Sequence, residues 1–260
     1  MEIRETENDL RPGMAHRIPA IDRAVDVMEA LAAAGPAGIR ELTARLGIPR
    51  STVYRVLNSL EARGLVSRGA DNAYRLGAQL LRLARAVPAG SDLVALARPA
   101  MEDCARALRC TVKLSVLEGS EALVVAVATS PETYAVTTQV GRRFPLHAGA
   151  ASKILVAFGP EEARARLLAG PLASITPATI TNRQALSRDL AAARAAGYAT
   201  DAGEFAPGIR AVAAPVLGPD GTCVAALSIP YLEGTAPVHE AALREAVIRC
   251  ARGISARLGG

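Results

Sequence analysis

Aromatic side chains make up only 3% of this 260-residue chain and tryptophan is absent, so any core must be built from alanine, leucine and valine. Half of the residues are hydrophobic, enough to close a substantial core by that route. No segment supplies the roughly 18 uninterrupted apolar residues of a membrane span, which argues against a membrane protein. The first residues, MEIRETENDLRPGMAHR, mix both charge signs and lack an apolar run. They read as a disordered arm over 1–16, not a secretory signal, and the expected location is cytoplasmic.

Cys104, Cys110, Cys223 and Cys250 form no C-x-x-C pair and read as buried free thiols. His16, His147 and His239 stand at no helical i, i+4 spacing from each other or from a cysteine, so no local signal indicates a metal site, and none indicates a cofactor. The P-loop, G-x-G-x-x-G, G-x-S-x-G and S-x-x-K patterns are all missing.

What is present begins with GIRELTARLGIPRSTVYRVLNSLEARGLV, from Gly38 to Val66, which reads as two short helices joined at a Gly-Ile-Pro turn. Gly47 closes the first and Pro49 opens the second. In the second helix Val53, Val56, Leu57 and Leu60 fall at i, i+3, i+4 and i+7 and form a stripe to bury. Ser51, Tyr54, Arg55 and Asn58 face the other way, where a major groove offers base edges and phosphates. Leu65–Arg68 and Ala73–Leu76, around the turn formers Gly69-Ala70-Asp71-Asn72, predict a β-hairpin, and a hairpin after a recognition helix is a wing. Between Ile39 and Arg75 seven arginines meet three acids, a local excess of four positive charges that suits a phosphate backbone. The expected DNA contacts are Arg50, Ser51, Thr52, Tyr54 and Arg55 on the helix, with Arg68 and Arg75 on the wing.

Upstream, Ile21, Ala24, Val25, Met28, Leu31 and Ala32 repeat with helical period and predict a first helix ended by Gly35-Pro36. Residues 77–86 read as a short helix or connector, with breakers at Pro88-Ala89-Gly90. A further helix carries Leu93, Leu96, Ala97, Ala100, Met101, Cys104 and Leu108 on its buried side. TVKLSVLEG, ALVVAVAT, YAVTTQVG, GIRAVAAPVLG and TCVAALSIP read as strands, while 148–158, 160–168, 183–196 and 238–258 read as helices. Strands joined by hairpins, with helices in runs, indicate an α+β domain on an antiparallel sheet. The expected organisation is an arm (1–16), a winged helix-turn-helix domain (17–78), a connector (79–91) and a second domain (92–260).

From about Arg17 to Leu258 the chain resembles the IclR family of bacterial transcriptional regulators. The resemblance rests on IPAIDRAVDVMEAL, LGIPRSTVYRVLNSLEARGLV, VGRRFPLHAGAASKIL, GYATDAGEFAPGIRAVAAPV and VAALSIP. It implies an N-terminal winged helix-turn-helix, a linker helix and a GAF-like effector-binding domain. It also implies a homodimer or homotetramer on palindromic operator DNA, responsive to a small molecule and controlling a catabolic operon. By motif the effector contacts are Gly149, Ala150, Ala151, Asp201 and Ser228. Small residues at a helix start expose backbone N–H groups where a carboxylate is favoured, so a small organic acid is the expected effector.

Two departures from the family pattern fall in that pocket. The acidic pair expected before Phe205 is Gly203-Glu204 here, and after Ser228 the second of two alternating serines is Pro230, so a hydrogen bonder is lost, and whether the neighbouring Tyr231 replaces it is left open by the sequence. Both glyoxylate-type acids and larger, more apolar or aromatic acids stay open. Two rival readings remain: a hydrolase using His147, Ser152 and Asp201, and a constitutive DNA-binding protein without an effector.

Overall fold

The computed structural model describes residues 18–85, 91–129, 136, 138–234 and 240–259, the side chains of 84, 85, 91 and 92 excepted. The expected arm, and with it His16 and Arg17, lies outside these residues, as does His239. The chain divides between Pro88 and Ala89 into two compact units. The connector expected over 79–91 spans this division, and its residues 86–90 are not among those described.

In the first unit α1 (Pro19–Ala34), α2 (Ile39–Leu46) and α3 (Arg50–Ala62) precede a hairpin of β1 (Val66–Arg68) and β2 (Tyr74–Leu76), followed by α4 (Gln79–Arg85). Gly47 takes the left-handed conformation at φ 64°, a conformation costly for a residue with a Cβ, and donates its N–H to the Thr43 carbonyl to end α2. Two residues on, the Pro49 carbonyl accepts the Val53 amide and starts α3. Val27, Leu31, Leu42, Val53, Leu57, Leu60, Val66 and Tyr74 are buried together. The faces differ from expectation in two places. Val56 is only half-buried, and on α1 the buried positions are Val27 and Leu31, leaving Ile21 and Val25 exposed at 58% and 41%. The apolar surface of α1 is wider than its partners, and α2 and α3 cover only one side of it.

The second unit runs α5 (Ser91–Leu108), β3 (Val112–Glu118), β4 (Glu121–Ala128), β5 (Arg143–Pro145), α6 (Ala150–Ala157), α7 (Glu161–Ala169), α8 (Arg183–Ala196), β6 (Ala199–Ala202), β7 (Ile209–Leu217), β8 (Cys223–Leu232) and α9 (Glu240–Leu258). The strands form one antiparallel sheet in the order β5-β4-β3-β8-β7-β6. Alternation along each strand separates two cores. Val112, Leu114, Val212, Leu227 and Ile229 pack with α5 and α9. Ala122, Ala211, Ala213 and Ala226 face α6 and α8 instead. Large side chains thus fill one face of the sheet, while small ones on the other leave room beneath α6.

Two strand assignments change. Of YAVTTQVG, the described residues Val136 and Thr138–Gly141 lie in no strand, and the edge strand is β5, two residues further on. The segment GYATDAGEF, read only as an acidic motif, contains β6, whose four residues are too few for a periodic pattern to announce.

Candidate functional site

On α3, Arg50, Ser51, Tyr54 and Arg55 are exposed and Thr52 is half-buried. Arg55 and Thr52 border the groove between α3 and α1, so the arginine stands at one margin of the polar face. In the wing, Arg75 lies 3.2 Å from both carboxylate oxygens of Asp71, and the Arg68 guanidinium sits 5.7 Å from the centre of the Tyr74 ring.

The second unit holds a cavity of about 100 Å³ between the small-residue face of the sheet and the start of α6. Gly149, Ala150, Ala151, Asp201 and Ser228 all line it. Gly149 has φ 98°, a left-handed value that only glycine adopts at little cost, and a Cβ there would point toward Asp201 Oδ2 at 3.8 Å. Its N–H is already used, donated to Glu204 Oε2 at 3.3 Å. The first-turn amides of Ala150 and Ala151 have no acceptor within the helix.

The strand floor adds residues that motif comparison missed. Lys113 on β3 sits directly across from Ser228 on β8, and both line the cavity with Ser115, Thr138 and Arg142. A lysine inside an otherwise apolar strand was the available signal, since alternation in TVKLSVLEG sets Lys113 and Ser115 on the face opposite Val112 and Leu114. The Lys113 ammonium lies 4.8 Å from the centre of the Phe144 ring, and Arg142 lies 5.3 and 5.8 Å from those of Phe144 and Phe205. These two rings meet edge to face at 4.7 Å. Ser228 Oγ and Thr138 Oγ1 are buried and have no hydrogen-bond partner among the described residues.

Burial pushes the Lys113 ammonium down to about 8; Asp201 opposes this and Arg142 adds to it. Burial also raises the Asp201 carboxyl, against the Glu204 amide, which donates to it at 2.7 Å, and against the charge of Lys153. Beneath the cavity, Lys153 of α6 contacts Glu204 at 2.6 Å and Asp189 at 2.9 Å. Burial works against charge on Lys153, but the two carboxylates more than offset it and hold the ammonium above its ordinary range. Glu204 is itself raised by burial, against the charge and the hydrogen bond of Lys153. Thr176 and Thr179 clamp the same loop, donating at 2.7 Å to the carbonyls of Gly203 and Glu204.

Two readings of these residues are corrected. Tyr231 does not replace the missing hydrogen bonder: it packs in the α5/α9 core, and its hydroxyl donates to Glu240 at 2.5 Å. Strand alternation aims Ser228 and Pro230 at the cavity and Tyr231 at the opposite face. Nor do His147, Ser152 and Asp201 assemble. Ser152 and Asp201 line the cavity, whereas His147 lines a separate surface groove and donates Nε2–H to the Ala173 carbonyl at 2.8 Å. Among the described residues no helix is long and apolar enough to cross a membrane.

A winged helix-turn-helix in one unit, with a cavity lined by small apolar, hydroxyl and cationic side chains in the other, is the layout of a transcriptional regulator. Residues 20–70 match the IclR helix-turn-helix domain and residues 86–256 the C-terminal domain of bacterial IclR transcriptional regulators, so the chain belongs to the IclR family. It is 40% identical over 227 residues to the HTH-type transcriptional regulator Rv1719 of Mycobacterium tuberculosis, covering 86% of this chain and 85% of that protein. With the regulator BhcR of Paracoccus denitrificans it shares 34% identity over 242 residues, 92% and 86% of the two chains. An IclR homologue from Microbacterium hydrocarbonoxydans, solved in complex with 4-hydroxybenzoate, superposes with a TM-score of 0.77 at 30% identity, covering 92% of this chain and 98% of that one. Thermotoga maritima IclR gives 0.74 at 25% identity, covering 94% and 100%. The relatives are named as regulators, and this chain is a DNA-binding regulator, not an enzyme.

Proposed function

We propose that this regulator senses a small organic acid in the cavity under α6 and controls a catabolic operon through operator DNA read by α3. The observation that carries the effector reading is the pair of buried, unpartnered hydroxyls of Ser228 and Thr138 on the wall of a cavity that also holds Lys113, Arg142 and a helix start. Buried hydroxyls are rarely left unpaired, and here a ligand completes them. The carboxylate lies against the amides of Ala150 and Ala151 and the Lys113 ammonium. A hydroxyl or oxo group reaches Ser228 and Asp201, and the edges of Phe144 and Phe205 suit a ring. The 4-hydroxybenzoate bound by the Microbacterium homologue is an acid of this kind and the first probe to use.

Introducing bulk with Ala151→Leu should abolish the effect of 4-hydroxybenzoate or a related acid on operator binding and leave ligand-free DNA binding intact. Three added carbons occupy the cavity at the helix start, and overpacking itself costs about 1–3 kcal/mol. Equal calorimetric binding by parent and variant would move the pocket elsewhere.

Residues 17–78 form the DNA-reading part in this proposal, 79–91 the connector and 92–260 the effector part. Arg55→Ala should weaken operator binding by about 1–3 kcal/mol and random DNA much less, if Arg55 reads a base. Equal losses on both would reassign it to phosphate. Arg68→Ala and Arg75→Ala should lower affinity for all sequences and reduce the salt slope by about one unit each. The exposed Asp71 pairing of Arg75 is weak enough to yield to a phosphate. A slope that stays constant removes the wing from the interface.

One recognition helix spans too few base pairs for operator-grade specificity. A homodimer or homotetramer on a palindromic operator, with half-sites about 34 Å apart or a multiple of that, meets the need. Footprinting that finds one unpaired half-site bound by a monomer refutes this.

A further inference from the structure

On the sheet face away from the effector cavity, Cys104 on α5 and Cys250 on α9 line one cleft from its two sides. Cys250 Sγ also lies 3.4 Å from the Ala100 carbonyl, one turn before Cys104. Both side chains are half-buried and line an open cleft of about 440 Å³ between the two helices, bordered by Arg249, which is paired with Glu245, by Arg257 and by Asp103. Reactive cysteines are partly exposed and stand in electropositive surroundings, whereas structural ones are sealed. The other two thiols lack this setting. Cys110 is buried, and burial pushes Cys223 up to about 12, with its S–H given to the Ala225 carbonyl.

We propose that Cys104 and Cys250 form an oxidant-sensitive dithiol whose disulfide pins α5 to α9 and alters operator binding. Arg249 and Arg257 stand on the same helix as Cys250 at the edge of the cleft, and the charge of Arg257 favours its thiolate while that of Asp103 opposes it. Cys250 is the attacking thiolate in this proposal. Its sulfur takes the terminal oxygen of a hydroperoxide: an S–O bond forms, the O–O bond breaks, and the departing alkoxide or hydroxide takes up the proton that Cys250 lost. The Cys104 sulfur then attacks the sulfenic sulfur of Cys250. The S–S bond forms, the S–O bond breaks, and hydroxide leaves with the Cys104 proton as water. Two electrons pass from the two thiols to the peroxide. α5 is the first described element after the division at Pro88, so tying it to α9 constrains the segment that follows the connector.

The test treats the full-length protein with hydrogen peroxide, then combines thiol titration, peptide mapping and operator binding. The expected result is loss of two of the four free thiols, a Cys104–Cys250 linked peptide within one chain, and a change in operator affinity that dithiothreitol reverses. Cys250→Ser and Cys104→Ala should each abolish both the link and the affinity change, and Cys110→Ser should keep them. Oxidation to sulfinic acid without a link, a link through Cys110 or between chains, or a link that leaves operator affinity unaltered would overturn the proposal.

Discussion

Changing Glu204 to alanine is expected to lower the unfolding free energy of the sheet-containing unit by about 3–5 kcal/mol, the usual cost of removing one partner from a buried ion pair. The Lys153 side chain is 3% exposed and that of Glu204 7%, so the orphaned ammonium would keep only Asp189, which is 39% exposed. Because the folded-state value of Lys153 is raised, its contribution is fully present below the ordinary lysine value and is lost only as pH rises through the folded one. The whole penalty is therefore expected at neutral pH. Urea unfolding measures it. The double variant Lys153→Met, Glu204→Leu should recover most of the loss, because a packed apolar pair needs no desolvation of charge. Glu204→Ala with an unchanged midpoint would show that the pair contributes nothing. Glu204 also holds the Gly149 amide, so the same variant should loosen the start of α6 and weaken effector binding.

Lys113→Met is expected to cost about 2–5 kcal/mol of affinity for an acidic effector, the range for truncating one side of a buried charge pair. At 1.4 kcal/mol per tenfold this is a loss of roughly thirty-fold to several thousand-fold. Lys113 has no carboxylate within ion-pair distance among the described residues, so a bound anion would be its counterion. The sign of the pH dependence follows from its lowered value. Below about 8 the free pocket holds the ammonium; above it the amine is neutral and must take up a proton to bind an anion. Affinity for a carboxylate should therefore fall as pH rises above about 8, by up to about tenfold per unit, and the Lys113→Met variant should lack this slope. Calorimetry with 4-hydroxybenzoate and smaller carboxylates across that range reads both effects. A parent profile identical to that of the variant would exclude Lys113 from the site.

The DNA-binding unit was largely legible in the sequence because its signals are local. A glycine and a proline bracket the turn, apolar residues recur at i, i+3 and i+4, and turn formers separate two short strands. The burial of α1 was less legible, since its apolar surface is broad and only packing against α2 and α3 chose Val27 and Leu31 over Ile21 and Val25. In the second unit motif comparison reached Gly149, Ala150, Ala151, Asp201 and Ser228, but not the cations that give the cavity its charge preference. Tyr231 was open as a cavity residue until the direction of β8 was known.

By itself the sequence determined the elements wherever these depend on neighbours a few residues away: the turn at Gly47, the extent of α8 from Arg183 to Ala196, and the strands β3, β7 and β8. Only the tertiary structure decided which alternating face looks into the cavity. Strand pairing set Lys113 beside Ser228, and the seating of α6 brought Lys153 to Glu204 and Asp189. Those contacts join residues distant along the chain, and their energies come from burial and charge pairing, quantities that exist only once the sheet has closed against its helices.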